Sequence, residues 1–135
     1  MRLWHKDLIQ FLPKQQLLDQ WRECCLIAKE IRTKGTLNHL LVNRVLDYPL
    51  NHFYTYGLMV YAEMMKRGYK PNLSNFKKWI SGCDQNLVYK SQVFYKWHNS
   101  VYMRQCLYNL EEKYDCGGIT KEEWYKILKL FANYF

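Results

Sequence analysis

Between residues 13 and 33, apolar residues recur at intervals of three or four, as in one face of a helix. The residues of this apolar stripe are Leu17, Trp21, Cys24, Ala28 and Ile31. At about 100° per residue, the opposite face carries Gln15, Asp19, Arg22 and Glu23. The segment therefore predicts an amphipathic helix with one side on a core and a polar constellation on the other side.

Glycine and proline residues divide the chain into further helical segments. Pro13 suits the first turn of the first helix, and Gly35 suits its end. The other segments that predict helices are 37–47, 50–67, 73–80, 97–114 and a last one from the Thr120 region to about Phe131. Residues 83–95 alternate only weakly and predict loop or brief extended chain.

Two of these helices carry more detailed predictions. The 50–67 segment is apolar on most sides, with Met65 on its main stripe, which is typical of a central buried helix. In the last helix, Thr120 and Glu123 predict a capping box. Its expected buried residues are Trp124, Ile127, Leu128 and Phe131. We predict an all-α fold, a single compact helical domain over residues 1–135 with an N-terminal arm (residues 1–5) packed against the helices.

The composition is that of a folded, basic protein. Hydrophobic residues make up 49% of the 135 residues, enough for a core without disulfides or metal. The net charge is +8, from 20 basic and 12 acidic residues, and suits a polyanionic partner. Nucleic acid and an anionic membrane surface are the two candidates at this point.

Several classes of protein are excluded or disfavoured by what the sequence lacks. No apolar run approaches the roughly 18 residues of a membrane span, and charged residues interrupt any signal-peptide core near the N-terminus. We therefore expect a cytoplasmic protein with no membrane partner. The five cysteines are scattered without a C-x-x-C, and the four histidines show no ligand spacing, so we expect reduced thiols, no metal and no cofactor. We also expect a monomer.

Two clusters of cations and aromatics suit contacts with phosphates and stacking on bases. The first contains Lys66, Arg67, Lys70, Lys77, Lys78 and Trp79, and the second contains Lys121, Trp124, Tyr125, Lys126 and Lys129. The alternative for each cluster is a solvated helix face above buried aromatics. No glycine-rich phosphate loop, G-x-S-x-G or H-E-x-x-H occurs.

Four stretches resemble the pyrimidine-dimer DNA glycosylase family, also called the T4-type endonuclease V family, and in particular its bacterial branch. They are QQLLDQWRECC at 15–25, MRLWH at 1–5, His39 with Val42-Asn43, and EMMKRGY at 63–69. The resemblance covers roughly residues 1–70, and the Arg22-Glu23 pair is its most specific part. Farther on, only Trp124, Tyr125 and Lys126 are similar to an aromatic, basic tail.

The resemblance implies an all-helical enzyme that removes a damaged base from duplex DNA and then nicks the strand. It implies that the α-amine of Met1 attacks the sugar C1′ and forms an imine, and that Glu23 stabilises the cationic sugar and assists proton transfers. Arg2 and Arg22 would contact backbone phosphates of a kinked duplex, and Gln15 would line the site of a flipped base. The further DNA-contact residues are His39, Lys66, Arg67, Trp124, Tyr125 and Lys126, although a structural role for His39 is an equal alternative.

Two departures from the family pattern favour a competing function. Residue 2 is Arg, too bulky for the usual removal of the initiator Met, so the amine would be that of Met1 itself. Leu26 lies where the phage type has another arginine that contacts DNA. The alternatives are a non-catalytic DNA-binding module of the same fold and a helical interaction protein whose charge is incidental. The lesion stays open between a pyrimidine dimer, another damaged base and an abasic site.

Overall fold

The computed structural model describes residues 2–81 and 86–135, and in these ranges the chain contains helices and no β-strand. The prediction of an all-α fold is therefore confirmed. The α-helices are α1 (Lys14–Lys34), α2 (Leu50–Lys66), α3 (Leu73–Ile80), α4 (Ser100–Asp115) and α5 (Lys121–Tyr134). Short 3₁₀-helices cover Lys6–Phe11, Val42–Asp47 and Lys90–Gln92. The expectations for Met1, Cys83 and the rest of 83–85 lie outside the described residues.

Helix α1 has the predicted limits and the predicted two faces. It begins directly after Pro13 and ends at Gly35, which adopts φ = 70°, a left-handed conformation that glycine reaches without strain. Its buried residues include Leu17, Trp21 and Cys24, and this face packs against both α2 and α3. The opposite face is left for the polar side chains.

The contact of α2 with α3 depends on one glycine. Gly57, in the middle of α2, lies directly under the ring of Phe76 from α3, where a Cβ atom would collide with the ring. Phe76 is fully buried and stacks on Trp21 of α1, with 5.5 Å between ring centroids. This aromatic group joins the first three α-helices.

Five details of the sequence prediction were wrong. The segment 37–47 is helical only at Val42–Asp47, as a 3₁₀-helix. Helix α4 begins at Ser100 because the Asn99 side chain accepts the N–H of Tyr102 and caps the helix there. Met65 is 47% exposed and Leu128 is 45% exposed, since each lies just beyond the arc of its helix that faces the core. Helix α5 also continues to Tyr134, three residues past the predicted end.

The start of α5 is fixed by the predicted capping box. The Thr120 side chain accepts the N–H of Glu123, and Glu123 Oε1 accepts the N–H of Thr120 at 3.1 Å. Glu123 Oε2 also accepts the first N–H of α1, that of Lys14, at 2.7 Å. One carboxylate therefore joins the beginnings of α1 and α5, which holds the C-terminal helix pair on the arm's side of the molecule. None of the described helices is long and apolar enough to cross a membrane.

Candidate active site

The N-terminal arm is non-helical at residues 2–5 and, as the sequence predicted, packs against the helices, where side chains from α2 and α4 hold it. Tyr102 of α4 donates its hydroxyl to the carbonyl of Leu3 at 2.6 Å. Tyr56 of α2 donates its hydroxyl to the carbonyl of Trp4 at 2.5 Å. Leu3 itself is fully buried. The backbone of the arm is therefore part of the core and has a fixed course.

Gln20 of α1 connects the arm to the polar face of that helix. Its Oε1 accepts the N–H of Trp4 at 2.7 Å and lies 2.9 Å from the hydroxyl oxygen of Tyr56, whose one hydrogen is donated to the Trp4 carbonyl. Its Nε2 donates to the carbonyl of Arg2 at 3.0 Å and to Glu23 Oε2 at 3.2 Å. Because one amide contacts both Arg2 and Glu23, the beginning of the described chain lies beside the Glu23 carboxyl.

Glu23 occupies an environment that favours its protonated form. Partial burial raises the pKa of the Glu23 carboxyl, although the nearby backbone N–H of Arg2 acts in the opposite direction. A carboxyl whose pKa moves towards neutrality exchanges protons more readily at physiological pH. Glu23 is therefore suited to both electrostatic stabilisation and proton transfer.

A polar cleft of about 270 Å³ opens between the arm, α1 and α4. Its lining residues are Arg2, Trp4, Gln16, Asp19, Glu23, Asn109 and Lys113. Asn109 and Lys113 lie one helical turn apart on α4, and both line the cleft. Lys113 therefore adds a positive charge from α4 to the cleft that contains Glu23 of α1. The cleft combines a carboxyl of raised pKa with positive charge from two different elements.

The Arg2 side chain is fixed at the edge of this cleft. Its guanidinium lies over the ring of Trp4, 5.4 Å from the centroid, and over the ring of Tyr102 at 5.7 Å. One of its nitrogens, Nη1, is 3.6 Å from the thiol sulfur of Cys106. Cation–π contacts of this kind hold the charge in place without neutralising it. Arg2 therefore presents a fixed positive charge next to Glu23.

Asp19 brings the predicted polar face of α1 together. It forms an ion pair with Arg22 and accepts a hydrogen bond of 3.0 Å from Nε2 of Gln15. Arg22 and Gln15 are exposed, whereas Asp19 also lines the cleft. The structure thus places Gln15, Arg22 and Glu23 on one side of the same helix, next to Arg2.

The predicted DNA-contact residues on either side of α2 do not line the cleft. His39 is exposed in the loop before Val42, whose N–H approaches its Nδ1 at 3.5 Å. Lys66 is exposed at the end of α2. Arg67 forms an ion pair with Glu63 at 2.8 Å and donates to the carbonyl of Leu12 at 2.7 Å. The guanidinium of Arg67 thus ties the end of α2 to the entry of α1.

The C-terminal candidates divide into one buried and two exposed residues. Trp124 is 6% exposed and stacks on Tyr114, with ring centroids 5.0 Å apart. Tyr125 is half-exposed with the Lys121 ammonium over its ring, and Lys126 is exposed. Only Tyr125 and Lys126 of this group therefore present a surface to a partner.

Sequence reasoning missed the residues that assemble the cleft. Gln20 had a visible signal, because its position between Leu17 and Cys24 places an amide on the apolar stripe of α1. Asn109 and Lys113 carried none, since their role depends on how α4 packs against the arm. Among the described residues, no three histidine, cysteine or acidic side chains lie close enough to hold a metal ion.

Fold and cleft together define a basic, all-helical protein with a half-buried carboxyl of raised pKa beside residue 2. Residues 1–76 match the family model described as pyrimidine dimer DNA glycosylase, and this match includes the arm, α1, α2 and half of α3. The chain belongs to the pyrimidine dimer DNA glycosylase family. No curated protein and no solved structure matches the chain.

Proposed function

We propose that this protein is a DNA glycosylase with abasic-site lyase activity, which acts on damaged duplex DNA of the pyrimidine-dimer type through an imine on its N-terminal amine. Membership of the family supports the substrate class. The observation that carries the mechanism is the contact of the residue-2 backbone with Glu23, made through Gln20 and through the Arg2 N–H. The α-amine precedes that N–H by one residue.

The nucleophile in this proposal is the α-amine of Met1. A free α-amine has a pKa near 8, so a useful fraction is neutral at pH 7, and cationic neighbours increase that fraction. The amine nitrogen attacks C1′ of the damaged nucleotide, the glycosidic bond breaks, and the base leaves with the bonding electrons. Loss of a proton from nitrogen and opening of the sugar give an imine, the covalent intermediate.

Glu23 acts at two stages of the same reaction. As a carboxylate it stabilises the positive charge that develops on the sugar as the base departs. Once the imine has formed, the hydrogen at C2′ is acidic, and a base positioned beside it removes that proton while the 3′ phosphate leaves. The raised pKa of Glu23 supports this second role, because the carboxyl then takes up and returns protons near neutral pH.

The cations around the cleft bind the DNA backbone. Arg2, Arg22 and Lys113 surround Glu23 and would contact phosphates close to the reacting sugar. Gln15 lies beside Arg22 on α1 and would line the site of a base displaced from the kinked duplex. Displacing a base costs only a few kcal/mol, and least at a damaged site. The exposed residues His39, Lys66, Tyr125 and Lys126 would contact the flanking backbone.

The direct test uses a duplex that contains one abasic site. Incubation followed by borohydride should reduce the imine to a stable protein–DNA adduct, and without borohydride the strand should be nicked. Acetylation of the N-terminus should abolish both products. Tight binding of DNA with neither adduct nor nick would contradict the proposal and identify a non-catalytic DNA-binding module. Failure to bind DNA even at low salt would contradict both, since phosphate contacts are strongest there.

A further inference from the structure

We propose that Gln20 is a positioning residue, which holds the Glu23 carboxyl and the backbone of residues 2–4 in one arrangement. This inference rests on the proposed function, in which Glu23 and the amine at the start of the chain act together. Gln20 reaches neither the cleft surface nor solvent, because it is fully buried. Its effect on the reaction would therefore pass through its partners.

The Gln20 amide has partners on both of its polar atoms. A primary amide has one oxygen with two acceptor sites and one nitrogen with two hydrogens. The oxygen accepts the Trp4 N–H, and both hydrogens of the nitrogen are used, one by the Arg2 carbonyl and one by Glu23 Oε2. A buried amide with these three bonds fixes the relative positions of Trp4, Arg2 and Glu23.

The chemistry of the partners also fixes which way the amide points. The Trp4 N–H can only donate and the Arg2 carbonyl can only accept, so a flipped Gln20 amide would place like groups together at both contacts. The nitrogen is therefore directed towards the Arg2 carbonyl and the Glu23 carboxyl. Glu23 lies three residues after Gln20, so both side chains emerge from the same side of α1.

Two features of the site depend on this single nitrogen. Its donation to Glu23 Oε2 stabilises the charged carboxylate and orients it. Its donation to the Arg2 carbonyl holds the first peptide units against α1. Loss of the nitrogen would release the carboxyl and the arm together. Of the three cations proposed to bind the substrate, Arg22 and Lys113 lie on α1 and α4 and would stay in place, whereas Arg2 is held by Gln20 through its backbone carbonyl.

Gln20→Glu and Gln20→Leu separate these functions. Gln20→Glu keeps an oxygen for the Trp4 N–H, but turns the other oxygen towards the Arg2 carbonyl and Glu23. Gln20→Leu removes every contact. The control is Ile127→Val, a small loss of volume in the buried face of α5 at a residue that does not line the cleft. It reports how much activity a merely less stable protein loses.

Two measurements apply to each variant at a temperature where it is folded. In steady-state cleavage of abasic duplex, both Gln20 variants should have a kcat reduced on the order of 100-fold relative to wild type, as expected for misplaced reacting groups. Their KM should stay within about threefold of the wild-type value. An NMR titration of Glu23 in the protein without DNA should show a raised pKa in both Gln20 variants. Ile127→Val should keep the wild-type kcat and the wild-type Glu23 titration.

The two proposals fail in different ways. Wild-type kcat together with an unchanged Glu23 titration in Gln20→Glu would overturn the positioning role, even where Gln20→Leu does not fold. A wild-type protein that cleaves no DNA would contradict the proposed function. In that case the titration alone decides the inference, and a raised Glu23 pKa in the Gln20 variants supports it.

Discussion

The backbone N–H of Lys6 donates a hydrogen bond of 2.9 Å to Nδ1 of His98, which is 92 positions further along the chain. His98 is buried and its ring stacks on His5 at a centroid distance of 5.1 Å. The Lys6 ammonium lies close by and donates to the carbonyls of Ser91 and Val93. This contact joins the end of the arm to the segment before α4, and it requires a neutral imidazole.

We predict that the protein loses stability as the pH falls below about 6.5. Burial, together with the charges of His5 and Lys6, holds the pKa of His98 well below its usual 6.5. The unfolded chain therefore binds a proton that the folded chain excludes, and the free energy of unfolding falls by up to about 1.4 kcal/mol per pH unit for this group. Urea denaturation between pH 8 and pH 5.5 measures the slope. A Gln at position 98 cannot titrate, so an equal slope in His98→Gln would contradict this assignment.

Glu123→Ala should lower the free energy of unfolding by about 1–2 kcal/mol, because it removes a cap from two helix beginnings at once. Thermal denaturation measures this loss, with the exposed neighbour variant Glu122→Ala as the control, expected to change by only about 0.5 kcal/mol.

The contribution of Glu123 should also depend on pH. Although burial opposes it, donation from the Lys14 and Thr120 N–H groups lowers the pKa of Glu123 below its usual 4.5. The stabilising contribution is therefore present above pH 4.5 and disappears as the pH falls through the lowered value. A difference between wild type and Glu123→Ala that is as large at pH 3.5 as at pH 7 would contradict the account.

Gly57→Ala should destabilise the protein by about 1–3 kcal/mol, the usual cost of overpacking a core. Alanine is intrinsically better than glycine in a helix by about 1 kcal/mol, so a purely local effect would have the opposite sign. The added methyl group meets the ring of Phe76, which is fully buried, so the packing of α2 on α3 must shift to admit it. Chemical denaturation decides the sign. Gly57→Ala should cost less free energy of unfolding in a Phe76→Leu background than in the wild-type background, because the smaller side chain leaves room for the methyl group. A stabilising effect of Gly57→Ala in the wild-type background would refute the contact.

Glu23→Gln should reduce kcat for abasic-site cleavage by about 100-fold or more, since it removes both the negative charge and the proton-transfer group. DNA affinity should change little, because the cations around the cleft remain. Burial raises the pKa of Glu23, so the acid limb of the wild-type pH profile should lie above 4.5 and should be missing from the variant. Cleavage rates from pH 4 to 8 measure both effects. A variant within twofold of wild type at every pH would exclude Glu23 from the chemistry.

The parts of the fold that were predictable have local signals. Gly35, the Thr120–Glu123 box and the polar face with Arg22 and Glu23 lie within a few residues of the structure they determine, and each was found where the sequence placed it. The arm's anchors have no such signal. Tyr102 meets Leu3 across 99 positions of the chain. Such pairings follow from the packing of helices and not from the residues flanking either partner.

The candidate DNA-contact residues also differ in whether the sequence could identify them. Arg22 and Glu23 were predicted from the family resemblance, and the pair lies on the polar face of the amphipathic helix as expected. Lys113 was not, because its position beside the cleft results from the way α4 crosses the arm. Trp124 was expected from its aromatic, basic neighbourhood, but its ring fills the space between Tyr114 and Phe131. A cluster of cations and aromatics in sequence does not say which rings face the core.

The account's central claim is that the reacting nitrogen is the α-amine at the start of the chain. Peptide mapping by mass spectrometry of the borohydride-reduced DNA adduct tests this claim most directly. We predict that the sugar remnant is attached to the amino group of Met1. Attachment to a lysine side chain, such as that of Lys113, which lines the cleft, would contradict it.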